Sequence, residues 1–277
     1  MFSKVKSKKL LIAASVMLVS SFAAPAWSAM TMPMVPQSSV GKAVDKPLPA
    51  SVLNAQFIDQ NGVHHTLASL KGKTVFIAPY LTLCGDTCPF TTANMLIVEQ
   101  NLINARAKNV EVVGIDVDPY RDNQARIAQY GKLIGANFQL WTEVGSTTKP
   151  GFTKAQLKAK FPVGYGDVNS NLQPFRSFFG WGVQVIPQST PPATDWMAPH
   201  KPLTYDINHD DGFYIIDGNG HEKFFSGGLP TFTGKISKTL ANFMGSSTNV
   251  YSKAVYKNGW TPQGAMQAID YVTNQMY

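Results

Sequence analysis

Two nearly uninterrupted apolar runs constrain the fold of this chain more than any other feature of its sequence. The first is KTVFIAPYL, residues 73–81, and the second is VEVVGIDVDP, residues 110–119. Runs without regular polar alternation are typical of strands that are buried on both faces of a sheet. Each run is followed by apolar residues at helical spacing, which predicts strand–helix alternation around a parallel core. These residues are Met95, Val98 and Leu102 after the first run, and Ile127, Tyr130 and Ile134 after the second.

Turn signals predict antiparallel strands on either side of this core. Asn61-Gly62 predicts a β-hairpin within residues 55–70, and the turn at residues 217–220 predicts another within residues 212–228. The remaining predicted elements are a short strand at residues 138–141 and helices at residues 154–161 and 235–244. The order of elements predicts an α/β, thioredoxin-like fold, with a central mixed β-sheet flanked by helices and an N-terminal β-hairpin.

Composition divides the chain around this domain, which we place at residues 49–245. Residues 30–48 are interpreted as a flexible linker. Residues 162–203 hold seven of the 18 prolines together with several aromatic residues, and we interpret them as an ordered but irregular insertion. Residues 246–277 form a C-terminal extension.

The C-terminal extension contains one predicted helix. Thr261-Pro262 is a typical start, with an N-cap residue followed by a proline in the first turn. Ile269, Val272 and Met276 lie at helical spacing and predict one apolar stripe.

The N-terminus has the layout of a secretory signal peptide over residues 1–29. A lysine-rich start is followed by an apolar stretch and then by Pro25 and small residues. The alternative is an uncleaved membrane anchor over residues 10–26. A cleaved signal predicts a periplasmic or otherwise exported protein in an oxidising compartment, which contacts a membrane only if the segment is not removed.

The basic charge of the chain belongs mostly to this N-terminal segment. The whole chain has 24 basic and 17 acidic residues, a net charge of +7. Loss of the four lysines in residues 1–30 leaves 20 basic residues and a net charge of +3. No clustered basic stripe is present, so the sequence does not indicate a nucleic-acid partner.

The only two cysteines of the chain, Cys84 and Cys88, follow the first apolar run and precede Pro89. A disulfide across so short a loop adds little stability, so a purely structural role is a weak explanation. Cysteines near a helix N-terminus have a lowered pKa, and residues four apart share one helical face. The two sulfurs can therefore close a redox-active disulfide or share one metal ion.

Of the five histidines, His209 is the candidate third ligand. It precedes the predicted strand at residues 213–217, in a loop that faces the cysteine loop in a thioredoxin-like sheet. His64 and His65 are predicted to be surface residues of the first hairpin, and His221 to be solvated. Two thiolates and one imidazole suit copper, above all Cu(I), whereas structural zinc prefers four ligands. The alternative is that His209 is a loop histidine bonded to the nearby acidic residues.

Two further functions use the same cysteines. A thiol–disulfide oxidoreductase is the main alternative, although the spacing is not C-x-x-C, Leu83 replaces the usual tryptophan, and no proline lies between Leu203 and Phe213 to supply a cis-proline. A peroxidase or peroxide sensor is less well supported, because Leu83–Phe90 contains few polar groups that could activate one cysteine.

The sequence resembles the Sco/SenC family of thioredoxin-like copper proteins, which help to assemble the copper centre of cytochrome c oxidase. The resemblance covers roughly residues 49–245. Its motifs are Leu70–Val75, Cys84-x-x-x-Cys88-Pro89, the segment from Asp116 to Asp122, and His209. It implies that Cys84, Cys88 and His209 bind copper, and that the partner is a membrane oxidase subunit or another copper protein. It also implies a structural or redox-tuning role for Asp118, whose alternative is to cap the next helix.

The chain departs from the family pattern at several places. Gly85 stands where a proline is common, Asp210 follows the histidine, and both the insertion and the extension are additional. These departures concern the delivery target more than the ligands. Met30, Met32 and Met34 form a thioether run that can bind Cu(I), and the alternative is a flexible tail.

Overall fold

The protein is described by a computed structural model that covers residues 34–85, 87–144, 172–187, 192–231, 237–244 and 259–277. The predicted signal peptide, Met30, Met32 and the predicted helix at residues 154–161 lie outside these residues. Within them, no helix is both long and apolar enough to cross a membrane.

An eight-stranded mixed sheet forms the centre of the molecule. Its strands are β1 (Lys42–Pro47), β2 (Phe57–Asp59), β3 (His64–His65), β4 (Thr74–Tyr80), β5 (Val110–Asp116), β6 (Gln139–Glu143), β11 (Phe213–Ile216) and β12 (His221–Ser226). Their order is β1-β12-β11-β4-β5-β6-β2-β3. The pairs β4–β5 and β5–β6 are parallel, and the other pairs are antiparallel. The thioredoxin-like fold predicted from the sequence is confirmed.

Helices and smaller strands lie outside this sheet. The helices are α1 (Ala50–Leu53), α2 (Cys88–Asn104), α3 (Gln124–Ile134), α4 (Leu172–Phe179), α5 (Lys238–Met244) and α6 (Pro262–Thr273), and Leu67–Leu70 form a 3₁₀ turn. The strands are β7 (Val183–Pro187), β8 (Thr194–Asp195), β9 (Ala198–Pro202) and β10 (Tyr205–His209). β10 pairs antiparallel with β7, and β8 pairs antiparallel with β9.

Apolar residues on both sheet faces explain why the strands read as continuous apolar runs. β4 is buried along its whole length. Its two faces contribute to separate clusters: Val75 and Ile77 pack with residues of α1, α4, β7 and β10, whereas Phe76 and Ala78 pack with residues of α2, α3 and α6. The alternation of strand and helix predicted from the sequence therefore places the beginning of α2, with its cysteines, at the carboxyl end of a central strand.

Local sequence signals set the limits of α3 and the start of α6. The Oδ1 atom of Asn123 accepts a hydrogen bond from the backbone N–H of Arg126 at 3.0 Å and so caps α3. Gly135 ends this helix in the left-handed conformation, at φ 73°. Thr261 caps α6 through the backbone N–H of Gly264 at 3.1 Å. The predicted stripe on α6 is correct for Ile269 and wrong for Met276, which lies beyond the helix and is 70% exposed.

Three segments are more regular than their composition indicated. Residues 42–47, within the predicted flexible linker, form edge strand β1, which pairs with β12. The described part of the predicted irregular insertion contains α4 and β7–β9. The described end of the C-terminal extension is part of the core, because Trp260 and Ile269 are buried in the same cluster as Phe76. In each case, long-range strand pairing or packing decides the structure, and neither is visible in local composition.

Candidate metal centre

The two cysteines lie where β4 leads into α2. Cys84 lies in the connecting loop, with 7% of its surface exposed, and Cys88 is the fully buried first residue of α2. Pro89 occupies the first turn, where it removes no helical hydrogen bond. Both thiols are free, and the predicted placement of the motif at a strand–helix junction is confirmed.

His209 reaches this junction from the other side of the site. The prediction that it lies in a loop is wrong, because it is the last residue of β10 and pairs with Val183 of β7. Four residues further along, at Phe213, the chain enters β11, the neighbour of β4 in the sheet. The sequence prediction that this part of the chain faces the cysteine loop is correct.

The donor atoms of Cys84, Cys88 and His209 converge. All three lie within 4.8 Å of one another, and Nε2 of His209 is 3.2 Å from Sγ of Cys88. The other ring nitrogen, Nδ1, donates a hydrogen bond to the backbone carbonyl of Asp210 at 2.7 Å. This bond places a proton on Nδ1 and directs Nε2 at the sulfurs, where it donates a hydrogen bond to Cys84 in the metal-free site and would offer its lone pair to a metal ion. The hydrogen bond to Cys84 and the charge of Asp211 raise the pKa of His209 to about 9, despite its burial. The cluster can hold one metal ion.

The electrostatics of the cluster separate the two thiols. A hydrogen bond from Cys88 and a weaker one from His209 hold the pKa of Cys84 well below its usual range, despite burial. Burial raises the pKa of Cys88, and the neighbouring Cys84 sulfur raises it further. These directions favour a thiolate at Cys84 and a thiol at Cys88. Since thiolates are the metal-binding form of cysteine, a metal that binds both sulfurs displaces the Cys88 proton.

Comparison with known proteins finds similarity over the segment that contains both cysteines. Residues 50–149 match the model of the SCO1/SenC family. The resemblance predicted from the sequence is confirmed. A curated relative, the SCO1 protein homolog of Bacillus subtilis (strain 168), is 30% identical over 104 residues, which are 36% of this chain. The matched region spans about half of that relative, 52% of its length.

Solved structures of Sco proteins also resemble this chain. Yeast Sco1 is 16% identical, with a TM-score of 0.44 and coverage of 77% of this chain and 99% of its own. Bradyrhizobium japonicum ScoI, solved with copper bound, is 22% identical, with a TM-score of 0.41 and coverage of 73% and 98%. The SCO1/SenC match contains both cysteines but ends before His209, so the structure alone brings the histidine to them.

A buried polar network lies directly behind the loop that carries Cys84. The carboxylate of Asp122 accepts hydrogen bonds from the backbone N–H and the hydroxyl of Thr82, at 2.7 and 2.5 Å. Arg126 pairs with Asp122 at 3.1 Å and forms two hydrogen bonds to Asp195, at 2.6 and 2.9 Å. Trp196 donates its indole N–H to the carbonyl of Thr82 at 2.6 Å. The insertion therefore folds against the loop that carries Cys84.

Asp118 has a structural role in the same region. It is fully buried, forms an ion pair with Arg121, and accepts a hydrogen bond from the hydroxyl of Tyr205 at 3.0 Å. The alternative that it caps the next helix is wrong, since Asn123 caps α3. Because Tyr205 begins β10, these bonds connect the motif after β5 to the strand that carries His209.

The other four histidines lie outside the cluster of Cys84, Cys88 and His209. The prediction for His65 is wrong: its Nε2 lies 3.0 Å from Oδ2 of Asp59, and its ring stacks on Trp141 at 5.1 Å. His64 and His200 are exposed, and His221 bonds to Asp45 at 2.7 Å. Sequence reasoning missed the supporting residues of the site, Thr87, Asp211 and Trp260. Thr87 and Asp211 could have been identified by their positions in the sequence, directly before Cys88 and two residues after His209.

Asp116, the last residue of β5, is expected to be neutral in the folded protein. The hydroxyl of Thr142 lies 2.8 Å from Oδ2 of Asp116 and 2.7 Å from the carbonyl oxygen of Asp122. One hydroxyl proton cannot serve both acceptors. A proton on Asp116 resolves the conflict, because Asp116 then donates to Thr142. Burial raises the pKa of Asp116 well above its usual range, and the charges of Asp122 and Asp118 raise it further.

This proton predicts an unusual pH dependence of stability. Unfolded aspartate loses its proton near pH 4. Between that pH and the higher pKa of the folded state, the folded protein binds more protons, so the free energy of unfolding falls as pH rises. Asp116→Asn mimics the neutral acid, and we expect it to keep the fold and remove this contribution.

Urea unfolding of the wild type and Asp116→Asn between pH 4 and 8 measures this effect. The control is Asp116→Ala, which leaves the backbone N–H of Asp118 without its present acceptor, at 2.8 Å. We expect this control to be about 1–3 kcal/mol less stable than the wild type. Equal pH slopes in the wild type and Asp116→Asn would contradict a protonated Asp116.

Proposed function

We propose that this protein is an exported copper-binding protein that serves the assembly of a copper site in a respiratory oxidase. It binds one copper ion through Cys84, Cys88 and His209. The observation that carries the proposal is the convergence of these three donors within 4.8 Å in a buried cluster. The SCO1/SenC match over residues 50–149 supports the same assignment.

The chemistry of the donors favours copper. Thiolate sulfur is a soft ligand that selects Cu(I), and imidazole also suits copper. Structural zinc prefers four protein ligands, whereas the part of the chain that the structure describes brings three together. The hydrogen bond from Nδ1 of His209 to a backbone carbonyl orients the ring as metal-binding histidines are usually oriented. The residues present therefore fit a copper ion.

In this proposal, copper is a cargo that is passed on. The receiving partner is a copper-binding subunit of a membrane oxidase, or another copper protein. The proposal includes export to the periplasm or an equivalent oxidising compartment, by the signal peptide predicted at residues 1–29. There, Cys84 and Cys88 have to be reduced before they can bind the ion.

Copper retention by the reduced protein tests this proposal. The protein is reduced with dithiothreitol, freed of reductant under nitrogen, loaded with Cu(I) and passed through a desalting column with a competing chelator. We expect about one copper per chain in the wild type and a loss of retention in His209→Ala. Loss of a supporting partner of a metal ligand already weakens affinity about 10–100-fold, and loss of a ligand should cost more.

His64→Ala is the matched control, because His64 is an exposed histidine of β3. It should retain copper like the wild type. Circular dichroism checks that all variants remain folded. Equal retention by His209→Ala and the wild type would remove the histidine from the site, and no retention by the wild type would refute the copper-binding proposal.

Thiol–disulfide exchange is the second candidate function. Two free thiols in one cluster and the lowered pKa of Cys84 favour it. In this role, the dithiol reduces cysteines of a copper-site partner, and Cys84 and Cys88 become a disulfide as the partner disulfide becomes two thiols. The same variants separate the functions, since exchange should survive His209→Ala and be lost in Cys84→Ser.

A further inference from the structure

Thr87 precedes Cys88 at the start of α2, but its hydroxyl does not cap that helix. Its backbone has helical angles, φ −86° and ψ −32°, and its side chain makes no capping hydrogen bond. The hydroxyl instead donates to Oδ1 of Asp211 at 2.9 Å. Asp211 lies two residues after His209, so this bond connects the cysteine side of the site to the histidine side.

Asp211 is held from a second direction by the C-terminal extension. Its backbone carbonyl accepts a hydrogen bond from the indole N–H of Trp260 at 2.8 Å. Trp260 is 1% exposed and packs edge-on against Phe213, with ring centroids 5.2 Å apart. Trp260 thus fixes the backbone that connects His209 to β11.

The contacts return from Trp260 to the helix that carries Cys88. The backbone N–H of Trp260 donates to the carbonyl of Leu229 at 3.0 Å, and its carbonyl accepts from the N–H of Thr231 at 2.8 Å. The side-chain amide of Asn94, on α2, also donates to the Trp260 carbonyl at 3.3 Å. The chain segment after His209 is therefore attached to α2 at Thr87 and, through Trp260, at Asn94.

We propose that Thr87, Asp211 and Trp260 are positioning residues that hold Nε2 of His209 against the two thiols, and that the C-terminal extension is thereby a working part of the metal site. The inference rests on the proposed copper function. None of the three residues is assigned as a ligand. They act through His209, by fixing the distance between the chain segment that carries it and the start of α2.

Thr87→Val and Thr87→Ser test this inference as a matched pair. Valine keeps the shape of threonine and removes the hydroxyl, whereas serine keeps the hydroxyl. We expect the Cu(I) affinity, measured by competition with bicinchoninate, to fall about tenfold in Thr87→Val and to remain within about twofold in Thr87→Ser. Melting temperatures of both variants are measured alongside, because Thr87→Val leaves the buried carboxylate of Asp211 without this donor and Thr87→Ser does not.

A second measurement uses the reduced protein without copper. Proton–nitrogen spectra of protein with ¹⁵N-labelled histidine report the ring of His209 directly. We expect its signals to shift in Thr87→Val and in Trp260→Phe, which removes the indole N–H but keeps an aromatic ring in the core. The signals of the exposed His64 and His200 should not shift.

The outcomes separate this inference from the copper proposal. Unchanged affinity together with unchanged His209 signals in Thr87→Val would overturn the inference while the copper function stands. An equal loss of affinity in Thr87→Ser would also overturn it, because the hydroxyl would then not be the cause. If the wild type binds no copper but the His209 signals shift as expected, the copper proposal fails and the positioning of His209 stands.

Discussion

Replacement of Trp260 by alanine is expected to lower the free energy of unfolding by about 3–5 kcal/mol. Trp260 is among the largest fully buried side chains of the described structure. Alanine removes its ring contacts with Phe76 and Phe213, at 6.2 and 5.2 Å between centroids, and leaves a cavity between the sheet and α6. It also removes the indole hydrogen bond to Asp211.

Urea unfolding followed by circular dichroism measures this loss. The matched control is Met276→Ala in the same extension, because Met276 is 70% exposed. We expect the control to change stability by less than about 0.5 kcal/mol. A loss below 1 kcal/mol in Trp260→Ala would contradict the assignment of the extension to the core, and would favour a separate C-terminal appendage.

Asp122→Ala is expected to destabilise the protein by about 3 kcal/mol, because it removes a fully buried charge that has specific partners. The backbone N–H of Thr82 loses its acceptor, and Arg126 keeps Asp195 but loses one of its two carboxylate partners. Thr82 lies two residues before Cys84. We therefore also expect faster alkylation of Cys84 and Cys88 by iodoacetamide in this variant, since the loop that buries them is less firmly held.

Asp45→Ala provides the matched comparison for Asp122→Ala. Asp45 pairs with His221 and Lys223, at 2.7 and 3.1 Å, but its side chain is 62% exposed. Exposed ion pairs of this type contribute little to stability, because solvent screens them. Chemical unfolding and alkylation rates are measured on both variants. Similar stability losses in the two variants would show that the network behind the cysteine loop is not a stabilising feature of the fold.

The insertion and the C-terminal extension, which distinguish this chain from the family pattern, both contribute residues to the surroundings of the site. The insertion contributes Asp195 and Trp196, which bond to Arg126 and Thr82 behind the cysteine loop. The extension contributes Trp260, which bonds to the residue two positions after His209. Each added segment thus supports a different side of the same cluster, the insertion the cysteine side and the extension the histidine side.

Much of the fold could be predicted because local signals and burial pattern agreed. The apolar run at residues 73–81 became β4, buried along its whole length. The apolar spacing of Ile127, Tyr130 and Ile134 became the buried face of α3. Composition misled where long-range pairing decided the outcome, as in residues 42–47. That segment carries two lysines, as expected for an exposed stretch, and these are tolerated because β1 lies at the edge of the sheet.

The three donor residues of the candidate site could be predicted from the sequence, whereas the residues that hold them in place could not. Cys84 and Cys88 stood out because they are the only cysteines and lie beside a strand–helix junction. His209 could be selected because a thioredoxin-like order of elements brings the segment before β11 next to the segment after β4. The position of His209 at the end of β10 depends on pairing with β7. That strand lies in the insertion at residues 162–203, whose prolines predicted no regular structure.

The sequence by itself determined the order of strands and helices, the junction that carries the thiols and the donor types that suit copper. These features depend on neighbours within a few residues, through periodicity, turn residues and helix signals. Only the tertiary structure decided which side chains hold the donors together, since Thr87, Asp211 and Trp260 meet from parts of the chain up to 173 positions apart. Hydrogen bonds between such distant residues form only after the sheet has brought the segments into contact, so no local pattern records them.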